Sequence, residues 1–326
     1  MSFGKRVGVT PALFAALLSA GFANVAFAQA PAKPDSPQVQ ADIAKAMKAA
    51  GTTWTAEEKF FCGRPMGNRA DDPIFEPVKL FDNVYAIGRT GTAVYAITTS
   101  AGILLIDSGY AADVETILLA GMKKLGLDPA QVKVIAITHG HVDHFAGTPY
   151  LQQHFHPQVY VSQPDWDLME HPPTAAKGPA PVIPQHDLVM TEGKPIVLGD
   201  FKMTPVFIPG HTPGSMGLIF PVKDNGKTHM AAIFGGTMMG SVLNDSLDAL
   251  ETYKKSIAHF KAETMKAKVD VELQNHPLYE NFPDKAATLK QRKKGEPNPF
   301  VVGRANYQGF VDVMAACLDA QIDRRK

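Results

Sequence analysis

A run of metal-binding residue types, His-x-His-x-Asp-His at residues 139–144, limits what this chain can fold into. It directly follows Val132–Ile137, an apolar and β-branched segment that predicts a buried strand. Functional side chains collect in loops just past strand ends. The run therefore predicts a fold in which a buried strand ends at a metal-binding cleft.

The spacing within the run predicts two ions rather than one. His139 and His141 are two residues apart, so on extended backbone their side chains share a face and can bind the same ion. If the chain then turns into a helix, Asp143 and His144 are directed towards a second ion. Imidazole and carboxylate ligands without thiolate favour zinc, and manganese or iron less strongly.

Each ion needs about one more protein ligand, because a catalytic zinc keeps three protein ligands and one open position. His211 follows the predicted strand Lys202–Ile208, and His276 follows the predicted strand Val269–Leu273. Both lie in loops with Gly or Pro neighbours. His186, beside the proline-rich segment 172–184, is a further candidate for reaching the site.

The rest of the chain after residue 76 predicts two similar series of secondary-structure elements. Each series begins with strands, which are followed by a helix and a further strand. The first series has strands at 78–81, 84–87, 93–98 and 103–106, a helix at 113–125 and the strand at 132–137. The second has strands at 188–190, 202–208, 216–220 and 229–234, a helix at 246–268 and a strand at 269–273. A final helix is expected from Val301 to about Ile322.

The first 28 residues predict a secretory signal peptide. Lys5 and Arg6 precede an apolar, Ala-rich run that ends in Ala26-Phe27-Ala28, the small-residue pattern of a cleavage site after Ala28. We therefore expect a periplasmic or secreted protein with no membrane insertion after cleavage. Residues 29–75 are expected to form an extension that consists of a flexible lead-in (29–40), a helix and a loop.

The composition limits the classes of molecule that this chain is expected to bind. Lys+Arg and Asp+Glu both number 32, so no overall basic field favours nucleic acid, and a small-molecule substrate is expected. Cys62 and Cys317 are the two cysteines, and in an oxidising compartment they can pair or stay separate. The sequence does not indicate an oligomeric state.

The His-x-His-x-Asp-His run, the preceding Leu-Ile-Asp-Ser-Gly at 105–109, the Gly-His-Thr-Pro-Gly at 210–214 and the later His276-Pro277 together resemble the metallo-β-lactamase superfamily. The resemblance covers residues 76–326. It implies a four-layer αββα sandwich of the α+β class, with two Zn²⁺ ions per chain at one edge between the sheets. Asp107 matches the buried aspartate that supports the ligand loop in this superfamily.

Within the superfamily, the spacing is most similar to the third subclass of zinc-dependent β-lactamases. By this matching His139, His141 and His211 bind the first zinc, and Asp143, His144 and His276 bind the second. The resemblance implies hydrolysis of the β-lactam amide by a metal-bound hydroxide, with Asp143 as the catalytic side chain. Thr237 and Met239 stand where those enzymes carry substrate-holding hydroxyl residues, and Met239 is a departure from that pattern.

Two alternative functions follow from the same residues. Superfamily hydrolases that act on lactones, thioesters or phosphoesters carry a metal-bridging aspartate after the strand 229–234. Here Gly235-Gly236-Thr237 stands at that place, and Asp245 is too distant to match. This departure disfavours hydrolysis of a lactone or other ester, which is the first alternative. The second is a non-catalytic metal-binding protein, which the full set of six ligand residues disfavours.

Overall fold

A computed structural model describes residues 1, 34–63, 72–172, 180–237, 242 and 246–326. Two units are present, Met1–Pro34 and Asp35–Lys326. The first unit lies almost wholly outside the described residues, and the predicted signal peptide lies outside them except for Met1. The second unit is compact and is the subject of all that follows. No helix among the described residues is both long enough and apolar enough to cross a membrane.

Two β-sheets form the middle of the compact unit. The seven-stranded sheet has the order β1-β2-β3-β4-β5-β6-β7, antiparallel as far as β4 and parallel from there on. Its strands are Val78–Phe81, Val84–Gly88, Ala93–Thr99, Gly102–Ile106, Val132–Ala136, Gln158–Val161 and Leu188–Val189.

The second sheet has five strands in the order β12-β11-β10-β9-β8, in which only the pair β11 and β12 is parallel. Its strands, β8 to β12 in chain order, are Ile196–Leu198, Phe201–Phe207, Met216–Asp224, Lys227–Phe234 and Val271–Glu272. The hairpin between β10 and β11 turns at Asn225 and Gly226, both with positive φ, as the favoured two-residue turn requires.

Helices cover the outer face of each sheet. In chain order, α1 to α9 are Pro37–Ala50, Thr55–Cys62, Ala120–Lys124, Val142–Phe145, Thr148–Phe155, Gln163–Glu170, Leu247–Ala267, Phe282–Gln291 and Arg304–Arg324. Short 3₁₀ and π turns at Ala111–Asp113 and Val114–Leu119 continue into α3, so the helix predicted at 113–125 is present with irregular geometry.

The burial pattern confirms the four-layer αββα sandwich. On β4, Leu104 and Ile106 enter the core between the sheets, whereas Ile103 and Leu105 enter the core under the helices of the first sheet. Successive strand side chains point to opposite faces, so a strand that is covered on both sides is apolar throughout. A third core lies between the second sheet and helices α1, α2, α7 and α9.

The extension before the first strand is more ordered than the sequence predicted. The flexible lead-in expected at residues 29–40 is wrong for Pro37–Gln40, which form the first turn of α1. The hydroxyl of Ser36 caps this turn by accepting from Val39 N at 3.3 Å, and Pro37 has the backbone angle that a helix start needs. Part of the loop expected at the end of this extension, residues 64–71, lies outside the described residues.

The two ends of the compact unit are tied to each other. A disulfide joins Cys62 at the end of α2 to Cys317 in α9, which resolves the alternative that the sequence left open. Arg324, also in α9, forms a two-point ion pair with Asp35, with both distances 2.8 Å. Both α1 and α2 pack against α9.

Candidate metal centre

The predicted ligand residues all lie in loops that follow strands. The run 139–144 comes after β5, and its second half forms the one-turn helix α4 that the spacing suggested. His211 follows β9, and His276 follows β12. The ligand atoms from both sheets meet in two groups of three histidines, each group within 4.8 Å: His139, His141 and His211, and His139, His144 and His276.

The first group forms a cup of three ring nitrogens. His211 Nε2 lies 3.1 Å from His139 Nε2 and 3.0 Å from His141 Nδ1. Burial, with the neighbouring imidazoles adding to it, holds the pKa values of His139 and His211 well below their usual range. The rings are therefore neutral near pH 7, which is the form that binds a metal ion.

The second group is oriented by hydrogen bonds on the far side of its rings. His144 Nδ1 lies 2.7 Å from Asp107 Oδ2, and His276 Nδ1 lies 2.6 Å from the carbonyl oxygen of Gly91. Each contact fixes the proton on Nδ1 and leaves Nε2 as the ligand atom. Asp143 Oδ2 lies 3.0 Å from His144 Nε2.

A divalent cation fits this second group. His144 Nε2 is fully buried, and its contact of 3.0 Å with Asp143 Oδ2 does not have the geometry of a hydrogen bond, so the atom is unsatisfied among the described residues. Buried polar atoms are normally satisfied, so an unsatisfied one that faces a carboxylate and a second imidazole is what a metal ligand looks like without its ion. The donors of both groups are nitrogen and carboxylate oxygen, a set that suits zinc.

The charges at the second group also favour a cation. Burial opposes ionisation of Asp143, but His144 and the other histidines outweigh it and hold the pKa of this carboxyl well below its usual range. Burial lowers the pKa of His144, but Asp143 and Asp107 outweigh it and raise that pKa to about 10. A cation bound at His144 Nε2 would replace the proton as the positive charge that faces both carboxylates.

Hydrogen bonds of Asp107 and Thr138 link the loops that carry His139, His144 and His276. Asp107 has φ 61°, and its carboxylate accepts from Thr138 N at 2.7 Å and from the Thr138 hydroxyl at 3.0 Å. The same hydroxyl accepts from Asn275 Nδ2 at 3.0 Å and lies 3.1 Å from His139 Nδ1. One threonine therefore connects the loops of His139, His144 and His276.

A second support, which the sequence analysis missed, comes from the loop between β2 and β3. The Thr92 hydroxyl donates to Asp143 Oδ2 at 3.2 Å, and the neighbouring Gly91 supplies the carbonyl that orients His276. No local pattern marks these residues, because their partners are about 50 and 185 positions away along the chain.

The loop that precedes His276 is held by buried charges. Lys285 pairs with Glu272 at 3.2 Å and with Glu280 at 3.4 Å. Glu280 Oε1 accepts from the backbone N–H of Gln274 at 3.1 Å, and the Tyr95 hydroxyl donates to the Gln274 carbonyl at 2.7 Å. Gln274 is thus fixed two residues before His276.

Two of the three predicted substrate contacts, Thr237 and His186, lie within the described residues. Thr237 is fully buried, and its hydroxyl bonds to the Gln274 side chain in the interior. His186 lies outside both ligand groups, stacked on Trp166 with its Nδ1 2.7 Å from Glu170. Met239 lies outside the described residues.

Comparison with known proteins agrees with this geometry. The family model of the metallo-beta-lactamase superfamily matches residues 87–224. Among solved structures, BJP-1, a subclass B3 metallo-beta-lactamase of Bradyrhizobium japonicum, is 29% identical with a TM-score of 0.64. That alignment covers 73% of this chain and 90% of BJP-1. The chain therefore has the metallo-β-lactamase fold, and it resembles the superfamily and its B3 subclass.

Curated relatives of this chain have other activities. Hydroxyacylglutathione hydrolase GloC of Haemophilus influenzae is 34% identical over 95 residues, which are 27% of this chain and 44% of GloC. Exodeoxyribonuclease WalJ of Streptococcus pneumoniae is 32% identical over 89 residues, which are 27% of this chain and 32% of WalJ. The chain thus spans less than half of the length of either relative. The fold implies divalent metal binding at the two histidine groups, and the substrate is a separate question.

Proposed function

We propose that this protein is a zinc-dependent hydrolase that binds two Zn²⁺ ions per chain and opens the amide bond of β-lactam rings. The observation that carries the proposal is the pairing of a three-nitrogen cup with a neighbouring Asp-His-His group, at the edge of a fold like that of BJP-1. In this donor set a pair of zinc ions supplies Lewis-acid activation of a carbonyl and of a water nucleophile at neutral pH.

The residues of the chain have separate tasks in this proposal. His139, His141 and His211 would hold the first ion through neutral rings, and Asp143, His144 and His276 would hold the second. Asp143 is the catalytic side chain in this proposal, because its carboxylate would bind the second ion and orient the water that attacks the carbonyl. Thr92 and Asp107 keep Asp143 and His144 aimed at the site through the contacts of 3.2 and 2.7 Å.

The second candidate is hydrolysis of an ester or thioester, and the similarity to GloC favours it. The stretch after β11 argues against it. Phe234 is followed by Gly235, Gly236 and Thr237, so the chain has no aspartate at the place where metal-bridging aspartates occur in the resembling ester hydrolases. A small-molecule substrate is common to both candidates, and neither involves nucleic acid.

A substrate screen tests the proposal. Zinc-loaded protein is assayed with a penicillin, a cephalosporin, a carbapenem and an acyl-lactone, each with and without a chelator. We expect chelator-sensitive opening of the β-lactams, and a loss of at least about 100-fold in kcat for Asp143→Ala, equivalent to about 3 kcal/mol of transition-state stabilisation. Ser100→Ala, on the exposed turn between β3 and β4, is the control, because no step uses a serine nucleophile. Opening of the lactone alone would contradict the β-lactam assignment and leave the metal assignment intact.

We also propose that the protein is exported to the periplasm or secreted, with cleavage after Ala28. The disulfide between Cys62 and Cys317 supports export, because such bonds persist in oxidising compartments. N-terminal sequencing of protein recovered from outside the cytoplasm should begin at Gln29. A mature chain that still begins at Met1 would contradict the proposal.

A further inference from the structure

A buried carboxylate on α6 contacts both loops that carry the first histidine group. Asp165 is completely buried near the start of α6. Its Oδ2 accepts from the backbone N–H of Gly140 at 2.7 Å and from the Thr212 hydroxyl at 2.7 Å. Its Oδ1 accepts from the backbone N–H of Gly214 at 2.8 Å. All three donors belong to metal-ligand loops.

The positions of these donors in the sequence matter. Gly140 lies between His139 and His141, and Thr212 directly follows His211. The three side chains of the cup therefore come from two loops, which belong to different sheets. One carboxylate accepts a hydrogen bond from the residue next to each of them, namely the Gly140 backbone N–H and the Thr212 hydroxyl. A shift of either loop would break a hydrogen bond to Asp165 in the same movement that spreads the ring nitrogens.

The second loop is built to lie close against α6. A Cβ at Gly214 would stand 2.6 Å from Asp165 N, a distance that real side chains do not tolerate. The hydroxyl of Ser162, the residue before α6, donates to the Gly214 carbonyl at 2.6 Å. Glycine at 214 thus lets both backbone groups of the loop reach the start of the helix.

The contacts of Asp165 are directional bonds to ligand loops rather than an ion pair. Burial raises the pKa of Asp165, and the bonds from Thr212, Gly140 and Gly214 oppose that effect. A carboxylate accepts only, so it suits three converging donors, whereas an amide in its place would turn an N–H₂ group towards at least one of them.

We infer that Asp165 is a positioning residue for the first metal ion, setting the spacing between the His211 nitrogen and the nitrogens of His139 and His141. The inference rests on the metal-binding part of the proposed function and is independent of the substrate. Groups that orient metal ligands typically change metal affinity by about 10- to 100-fold when they are removed. We expect a loss of that size at the first ion alone.

The test measures each ion separately by competition with a chromophoric zinc chelator. In a His276→Ala background the first site is measured, and in a His211→Ala background the second. Adding Asp165→Asn should weaken zinc binding about 10- to 100-fold in the first background and less than about threefold in the second. Asp187→Asn is the matched control, because Asp187 accepts from a backbone N–H at 2.8 Å on β6, which is not a ligand loop.

A milder variant covers the case in which Asp165→Asn does not fold. Thr212→Val removes one of the three donors with little change in shape, and it should weaken the first ion by a smaller factor in the same direction. The inference is overturned if both variants bind the first ion as tightly as the Asp187→Asn control does. It is also overturned if they weaken both ions equally, which would mean a general loss of stability. Failure of the parent protein to bind zinc at all would instead overturn the proposed function, and this inference with it.

Discussion

The Thr92 hydroxyl lies 3.2 Å from the Asp143 carboxylate, so a residue between the second and third strands supports a ligand on the helix that follows the fifth. Both side chains are buried. A neutral donor that contacts an ionised acceptor in the interior is worth more than the same bond in water. The contact restricts the rotation of the side chain that we propose to be catalytic.

Replacing Thr92 by valine keeps the shape of the side chain and removes the hydroxyl. We expect kcat for the substrate found in the screen to fall by about 10-fold, or about 1.4 kcal/mol, with a smaller change in KM. Thr98→Val, at the other end of β3, is the control. An unchanged kcat for Thr92→Val, or an equal loss in both variants, would contradict a role in orienting Asp143.

Metal content should follow the two histidine groups. Purified protein with excess zinc should retain two ions per chain, and exhaustive chelation should abolish hydrolysis, which zinc restores. His211→Ala and His276→Ala should each retain one ion, because they remove a ligand from different groups. Elemental analysis after gel filtration measures this. A single tightly held ion in the unmodified protein would count against two sites.

Stability should depend on pH through Glu57. Burial raises the pKa of this carboxyl to about 7, above its ordinary value. Its contribution to stability is therefore complete below about pH 4.5 and is lost as the pH rises through about 7, by about 3 kcal/mol in all. Glu57→Gln keeps the side chain neutral, so urea unfolding should show a gain over the unmodified protein at pH 8 and little difference at pH 4.5.

The matched control for Glu57 is Glu76→Gln, whose carboxylate is exposed. It should leave the difference in unfolding free energy between pH 4.5 and pH 8 unchanged. Equal pH dependence in the Glu57→Gln variant and the unmodified protein would show that folding does not raise the pKa of Glu57.

The disulfide should contribute strongly to stability because it closes a long segment. Cys62 and Cys317 are 255 positions apart. Restricting the unfolded chain over such a loop is worth about 5.5 kcal/mol in the chain-entropy account. The double variant Cys62→Ala/Cys317→Ala should unfold at lower urea concentration, and added reductant should destabilise the unmodified protein but not the variant. A variant as stable as the oxidised protein would refute the estimate.

Local patterns predicted most of the strands and the two long helices, because their side chains repeat with a short period along the chain. The strands Gln158–Val161 and Ile196–Leu198 were missed, and the strand expected at 188–190 in the second series instead pairs with Gln158–Val161 in the seven-stranded sheet. Helix α2 was missed, although Phe61 is fully buried and lies at 5.5 Å from the ring of Tyr279. Such a contact depends on tertiary packing, which a window of a few residues does not contain. Asp165 was missed for the same reason, since its donors lie 25 to 49 positions away.

The match to a related family gave the position of Thr237 but not the partner of its hydroxyl. Its position in the sequence suggested substrate binding, but its hydroxyl is engaged with Gln274 inside the protein. The position of Thr237 in the sequence does not give the partner of this hydroxyl, because Gln274 lies 37 positions away along the chain.

The ion pair between Asp35 and Arg324 means that the first and the last turns of the compact unit are separated by a single side-chain contact. A short glycine-rich linker could therefore join the two ends, and new termini could be opened at the exposed Asn225-Gly226 turn between β10 and β11. Such a circular permutant would retain every ligand loop, with the helices of the extension continuous with α9 through the backbone. In this protein we therefore expect the order of the helices along the chain to be separable from the assembly of the metal centre.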